Sequence, residues 1–376
     1  MKYFIIAGEA SGDLHASNLM RELKKQDAEA EFCFLGGDLM SAQGGILVQH
    51  YRNMAFMGIL NVILNIRKVL RNITICKESI LRFLPDVVIL VDYPSFNLRI
   101  AKFVKQKLQI PIYYYISPKI WAWKEYRIKS IKKLVDEMFC ILPFEVDFYK
   151  KHQYPIHYVG NPTMDSIRHF LQQNPRNPHE FCVKNNIPLH KPLVALLAGS
   201  RKQEIVKCLP KMLKMKDEFP NFQFVIAGAP SYSPDFYKQF GCEVPVVFNQ
   251  TFSLVQNAEA AIVNSGTATL ETALLKTPEV VVYHVFGGRL ASLLKKLVIR
   301  VPFVSLVNLI AHKEVVKELI AHLFTEERLK QELNKVLFDK TYRDNQIVGF
   351  EEVTEKLGCR NCAEITAQLI VEKLRQ

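Results

Sequence analysis

Four short stretches hold residue types that do chemistry when a fold sets them at the end of a strand. The first is Gly8-Glu9-Ala10-Ser11-Gly12-Asp13, directly after the apolar run Tyr3 to Ala7. Its two glycines permit a tight turn and close approach of a ligand, and Glu9 is presented where the strand stops. The loop is neither Gly-x-Gly-x-x-Gly nor a Gly-Lys-Ser/Thr loop, which removes the main support for a dinucleotide or P-loop site. A plain turn with a solvated Glu9 is the competing reading. The second stretch is Asp92-Tyr93-Pro94-Ser95-Phe96-Asn97, after Val87-Val88-Ile89-Leu90-Val91. A carboxylate in a partly desolvated crevice at a strand end has its pKa raised toward the range of a general base, although Asp before Pro also simply starts turns. The third is Gly199-Ser200-Arg201, where Arg201 offers a planar fork to phosphate. The fourth, Asn264-Ser265-Gly266-Thr267-Ala268-Thr269-Leu270-Glu271, places N–H groups and hydroxyls at a helix N-terminus, where the dipole favours a diphosphate. Glu271, one turn on, is in reach of a ribose. An ordinary Ser/Thr N-cap would leave the same trace.

These loops need strands to carry them. Apolar, β-branched or aromatic runs alternate with helical patterns, which predicts parallel sheets built from βαβ units. Strands are expected at Tyr3 to Ala7, Glu31 to Leu35, Asp86 to Val91, Ile112 to Ile116, Glu137 to Leu142, Leu193 to Leu197, Gln223 to Ala227, Ala260 to Val263 and Glu279 to Tyr283. The expected organisation is an N-terminal Rossmann-like domain over residues 1–170, a linker region 171–192 with one short helix, a C-terminal Rossmann-like domain 193–340, and a helical tail 341–376. The fold class is therefore α/β, with two doubly wound domains facing a central cleft, where ligands of such sheets bind.

With 376 residues, 49% hydrophobic and 23% charged, the chain is globular, and disordered or collagen-like classes are excluded. Eight scattered cysteines suit reduced thiols, and only Cys359 and Cys362 lie close together, without the second pair a zinc ribbon needs. The apolar run at the N-terminus is too short for a signal peptide, and no run approaches a membrane span, so the expected location is the cytoplasm. The net charge of +12 favours an anionic partner, and the excess concentrates at Arg67 to Arg82 and Lys119 to Lys133. On a helical wheel, Ile59, Val62, Ile63, Ile66, Val69, Leu70 and Ile73 form one arc, read as core-facing. Leu60 and Leu64 fall outside it, beside Arg67 and Arg71, as on a helix resting at an anionic lipid surface; burial against another helix is the alternative.

Taken in order, Ala7 to Asp13, Phe56-Met57-Gly58, Tyr115-Ile116-Ser117-Pro118-Lys119-Ile120-Trp121-Ala122-Trp123, Leu142-Pro143-Phe144-Glu145, Gly199-Ser200-Arg201 with Glu204-Ile205, and Ser265 to Glu271 resemble the lipid-A-disaccharide synthases. The resemblance implies an inverting glycosyltransferase of the B type. Its reaction joins UDP-2,3-diacylglucosamine to 2,3-diacylglucosamine 1-phosphate, giving a β(1→6) disaccharide and UDP without metal or cofactor. The lack of an Asp-x-Asp motif agrees. It also implies Asp92 and Glu9 as catalytic carboxylates. Substrate or UDP binding falls to Ser11, Gly12, Gly199, Ser200, Arg201, Ser265, Gly266, Thr267, Thr269, Glu271 and Asn308. The implied setting is peripheral, on the inner face of the cytoplasmic membrane, with a second copy of the chain as a further candidate partner and no nucleic acid.

The chain departs from the family pattern in three places. Ser95 stands where a second Asp is frequent, which leaves Asp92 as the better base. Asn161 stands where His is frequent, and Ala198 where Pro is usual. Two other readings compete. A UDP-sugar epimerase of the same fold would share the nucleotide seat but need no lipid surface. A nucleic-acid binder is suggested only by Lys119 to Lys133 and its tryptophans, without a recognised motif.

Overall fold

A computed structural model describes residues 1–54, 66–241, 243–284 and 301–376. Chain contacts divide it into two units, Met1–Pro162 with Arg360–Gln376, and Thr163–Cys359. The first carries β1 (Lys2–Ala7), β2 (Glu31–Gly36), β3 (Ile46–His50), β4 (Val87–Val91), β5 (Ile112–Tyr115), β6 (Glu137–Cys140) and β7 (His157–Tyr158), paired in the order β3-β2-β1-β4-β5-β6-β7. The second carries β8 (Leu193–Leu197), β9 (Gln223–Gly228), β10 (Val246–Phe248), β11 (Ala260–Asn264), β12 (Glu279–Tyr283) and β13 (Glu318–Ile320), in the order β10-β9-β8-β11-β12-β13. All pairings are parallel.

Parallel strands covered by helices on both faces must be apolar on both faces, and these are. All of β4 is buried, and in β1 Tyr3 and Ile5 enter one core cluster while Phe4 and Ile6 enter another. The interior strands lie where the apolar runs predict them, within two residues at each end. The strands the runs do not predict, β3, β7, β10 and β13, are the four sheet edges. An edge strand has one neighbour and less cover, so its sequence carries no buried run: β3 leaves Ile46 60% exposed, and β7 has two residues.

In each sheet the strand order reverses beside the first strand, between β1 and β4 and between β8 and β11. Crossovers leave in opposite directions there, so the carboxyl ends of those pairs are open to a ligand.

Three expectations change in detail. The division between units falls at Pro162/Thr163, at the start of the helix Pro162–Gln173, and the short linker helix is Pro178–Lys184. The helices of 341–376 belong to different units. Lys340–Leu357 is tied to the second through Gln346, whose carbonyl accepts from the Glu279 N–H. Cys362–Arg375 is tied to the first, with Cys362 Sγ 3.3 Å from Tyr115 Oη. On the helix Ile66–Phe83, Ile66 and Leu70 are exposed, not core-facing; the buried stripe is Asn72, Ile73, Cys76 and Ile80, whose phase is set by the C-terminal part of the helix. Arg67 and Arg71 are exposed as expected, while Leu60 and Leu64 lie outside the described residues.

Candidate functional site

In the first unit Ala7 pairs with Val91, so the loops that follow β1 and β4 start side by side at the reversal point. Their closeness explains Gly8: a Cβ there would lie 2.4 Å from the Tyr93 ring. Glu9 caps the helix Ala10–Gln26 with extended backbone. Ser11 is exposed, and Gly12 is buried against Ala7. Asp13, a motif residue to which sequence reasoning gave no role, is buried and accepts from the N–H groups of Gly37, Leu39 and Met40 at 2.7–3.1 Å, fixing the loop after β2.

Asp92 and Tyr93 are consecutive left-handed residues, with φ of 42° and 48°. Such a conformation costs non-glycine residues about 1–3 kcal/mol each and persists only where surroundings hold it. Here Asn97 Nδ2 donates to the Asp92 carbonyl at 2.6 Å and to that of Val91 at 3.3 Å, Tyr114 Oη donates to the Asp92 carbonyl at 2.5 Å, and Tyr93 Oη donates to the Met54 carbonyl at 2.9 Å. The turn carries a half-buried carboxylate. Desolvation pushes the Asp92 carboxyl above its usual range, opposed by the charge of Lys119 and by the Tyr93 N–H. A carboxylate so raised is a better proton acceptor. Ser95, at the departure from the family pattern, accepts from Arg127 Nη2 at 2.8 Å. Tyr93, Asn97 and Tyr114 were not singled out from sequence for this task; the signal was present in Asn97, five residues after the candidate base.

In the second unit Leu197 pairs with Val263, which brings the loops after β8 and β11 together. Gly199 has φ +108°, and a Cβ there would meet Glu204 Oε2 at 2.5 Å and Asn264 Nδ2 at 2.9 Å, so glycine is required. Arg201 caps the helix Lys202–Leu213. Its N–H donates to Glu204 Oε2 (3.3 Å) and its Nη1 to Glu204 Oε1 (3.2 Å), so Glu204 steadies a largely exposed guanidinium. Ser200 is exposed beside it.

The helix Thr267–Leu274 begins without a side-chain cap, and Gly266 and Thr267 are exposed. Gly266 has open space where a Cβ would stand. Its first N–H groups therefore face outward, the arrangement that receives an anion. Ser265, expected to offer donors to the anion, has both engaged: its Oγ donates to the Val304 carbonyl at 3.2 Å and its N–H to the Val282 carbonyl at 2.9 Å, so it shapes the loop and leaves the ligand to Gly266 and Thr267. Glu271 lies in the next turn, and burial pushes its carboxyl up to about 7.

Two further expected binding residues have other partners. Thr269 is fully buried and its hydroxyl donates to the Gly266 carbonyl, shaping the loop from beneath. Asn308 is fully buried: Nδ2 donates to the Val316 carbonyl and Glu318 Oε1, and Oδ1 accepts from the N–H groups of Val315 and Val316. It holds the segment ahead of β13, with no donor or acceptor left over for a ligand. No cluster of three or more metal-ligating side chains occurs among the described residues.

The sequence model described as lipid-A-disaccharide synthetase matches residues 3–371. The lipid-A-disaccharide synthase of Myxococcus xanthus (strain DK1622) is 36% identical over 381 residues, covering 99% of this chain and 97% of that protein. That of Coxiella burnetii (strain CbuK_Q154) is 34% identical over 371 residues, covering 97% and 96%. Among solved structures, the UDP-GlcNAc 2-epimerase of Neisseria meningitidis bound to UDP-GlcNAc superposes with a TM-score of 0.67 at 13% identity, each chain fully covered. The glycotransferase of kitacinnamycin gives 0.64 at 11%, with 99% of each covered. At such identities the likeness shows the fold alone.

Proposed function

The chain belongs to the lipid-A-disaccharide synthase family, and from that premise we propose how its residues divide the work of a glycosyl transfer from a UDP-sugar to a lipid acceptor. The donor is UDP-2,3-diacylglucosamine and the acceptor 2,3-diacylglucosamine 1-phosphate. The 6-hydroxyl oxygen of the acceptor forms a bond to C1 of the donor glucosamine as the bond from C1 to the diphosphate breaks on the opposite face. Attack from the far face inverts C1 and yields the β(1→6) link. Asp92 takes the hydroxyl proton, and UDP leaves with the electron pair. The developing charge on the diphosphate is met by the outward N–H groups and hydroxyl at Thr267 and by the Arg201 fork steadied by Glu204. Glu271 is assigned to the ribose, and Glu9, with Ser11 and Gly12, to the acceptor side of the first unit.

One observation carries the choice of base: the Ala7–Val91 register sets two carboxylates at the ends of neighbouring strands, and only Asp92 is held in a strained, partly desolvated turn. The test is UDP release from the two acylated substrates by the wild-type chain and by Asp92→Asn and Glu9→Gln. Loss of turnover in Asp92→Asn with UDP affinity retained supports the assignment. Wild-type turnover in that variant passes the role to Glu9.

The same chain acts at a membrane surface, docking peripherally on its inner face. No described helix is long and apolar enough to cross a bilayer. The helix Ile66–Phe83 instead exposes Ile66 and Leu70 beside Arg67 and Arg71, the mixture an anionic interface accepts. Sedimentation with anionic vesicles at low salt, weakened by Arg67→Ser with Arg71→Ser, tests it.

A further inference from the structure

The loop Ser265-Gly266-Thr267 has little to keep its shape from outside: among the described residues a Cβ at Gly266 would meet nothing, and the helix Thr267–Leu274 starts without a side-chain cap. Such a loop depends on what grips it from beneath, and Ser265 is gripped at two points. Its N–H donates to the Val282 carbonyl on β12 at 2.9 Å, which simply extends the sheet. Its Oγ donates to the Val304 carbonyl at 3.2 Å, and Val304 lies in no strand or helix. What holds Val304 therefore matters to the loop, and it is a buried carboxylate that the transfer described above does not use.

Glu318, the first residue of β13, is 8% exposed. Its Oε1 accepts from the Ser305 N–H at 2.8 Å, Ser305 Oγ at 2.8 Å and Asn308 Nδ2 at 3.0 Å, and its Oε2 accepts from the Val304 N–H at 2.9 Å. A buried carboxylate is costly without partners, and donors converging from three residues offset that cost. Stability alone does not call for a charge here, because well-packed apolar side chains often serve as well. What the carboxylate adds is direction. The Val304 carbonyl and the Ser305 N–H belong to one planar peptide unit. Glu318 holds that plane at its N–H edge, and Ser265 Oγ binds it at its carbonyl edge. A negative acceptor on the N–H also polarises the peptide and makes its carbonyl a better partner for the serine. The register agrees: Glu318 pairs with Val281 and Leu319 with Val282, so both grips on Ser265 originate in the strand pair β12–β13.

We propose that Glu318 is a positioning residue of the diphosphate seat: it fixes the Val304–Ser305 peptide, which through the Ser265 hydroxyl fixes the loop from which Gly266 and Thr267 offer their N–H groups. The inference rests on the reading of that loop as the seat. Glu318 touches no substrate in this scheme; its effect on UDP passes through one peptide and one serine.

The experiment is calorimetry of the full chain with UDP and, as a control, with uridine, which lacks the diphosphate. Ser265→Ala and Glu318→Ala should each weaken UDP binding by about 3–10-fold, the effect of one lost hydrogen bond, while uridine affinity stays at the wild-type value. Because both act through one peptide, the double variant should bind UDP no more weakly than the more impaired single variant. Glu318→Gln keeps an acceptor oxygen for Ser305 and Asn308, and should bind UDP more tightly than Glu318→Ala. Should Glu318→Ala fail to fold, Glu318→Asp keeps the charge but withdraws it by one methylene. That variant should weaken UDP in the same sense, again without adding to Ser265→Ala. Multiplying effects in the double variant, a parallel fall in uridine affinity, or wild-type UDP affinity in either single variant overturns the proposal while Thr267→Val, if impaired, keeps the seat. Unchanged UDP affinity in both Thr267→Val and Arg201→Ala removes the seat itself, and the proposal falls with it.

Discussion

The turn at Asp92-Tyr93 and the loop Ser265-Gly266-Thr267 occupy equivalent places, each after a central strand at the point where its sheet reverses order, and they are built in opposite ways. The first is two left-handed residues clamped by Asn97, Tyr114 and Tyr93, with a partly desolvated carboxylate. The second is exposed, with an uncapped helix start and empty space over Gly266. A proton acceptor has to be fixed and partly dry for its pKa to suit the task, and local strain is tolerated to achieve it. A seat for a diphosphate needs donors left open and room for the ligand, and strain would serve nothing there. On the proposed reading, the difference between the loops is the difference between the two jobs.

The largest break in this comparison should come from the charge itself. Asp92→Asn is expected to lower turnover by about 10²–10⁴-fold, with UDP affinity by calorimetry unchanged. In the wild type, kcat/KM should fall as pH drops through the raised Asp92 pKa, because the protonated acid accepts nothing. On the open side, Thr267→Val or Arg201→Ala should weaken UDP binding by about 10–150-fold, the worth of one charged hydrogen bond. Unchanged affinity in both would remove the nucleotide from this loop. A smaller effect is expected from Tyr114→Phe. It releases one clamp on the Asp92 carbonyl and should lower kcat by about tenfold or less, with no change in calorimetric UDP affinity.

The smallest effect sharpens the contrast from outside either site. Glu279 is fully buried, its carboxyl oxygens have no hydrogen-bond partner among the described residues, and burial with the nearby charge of Glu318 pushes its pKa well up. It stands at the first residue of β12, the end opposite the carboxyl ends at which open parallel sheets receive ligands. Its folded pKa exceeds the unfolded one, so its burial is tolerated best below the ordinary Glu range and destabilises progressively as pH rises above that range. Glu279→Gln should therefore raise Tm near pH 7–8, by about 2–4 °C for each kcal/mol gained, with the gain fading near pH 4 and turnover unaltered. A raised pKa without the reversal point around it is a burial effect and marks no function.

How much of this was legible in the chain follows from what each element depends on. Val87 to Val91 announces a buried strand because every residue is apolar, and Asp92 announces a site because a charge directly follows. The edge strands β3, β7, β10 and β13 depend on a partner strand far along the chain, and their own residues do not record it. Ile66 and Leu70 were assigned to the core arc because a helical wheel finds a stripe without knowing which face the sheet meets; the sheet meets Ile73, Cys76 and Ile80. Thr269 and Asn308 were implied as ligand groups by the resemblance, and their partners, the Gly266 carbonyl and the Val315–Glu318 segment, are set by the fold. Tyr114 lies 22 residues from the Asp92 carbonyl it holds, which no local spacing rule reaches.

The helix Cys362–Arg375 belongs with the first sheet, burying Cys362, Ala363, Thr366, Ala367, Ile370 and Val371 while Arg375 reaches the Gln26 carbonyl. During synthesis the ribosome releases residues 1–162 long before it releases this helix. With roughly 200 residues between them, made at about 5–20 per second, the gap lasts on the order of 10–40 s. For that time the nascent first unit lacks one of its own walls and carries uncovered apolar surface. Closure of the first unit therefore waits on synthesis of the second, and a message cut short ahead of this helix would leave the earliest part of the protein unfinished.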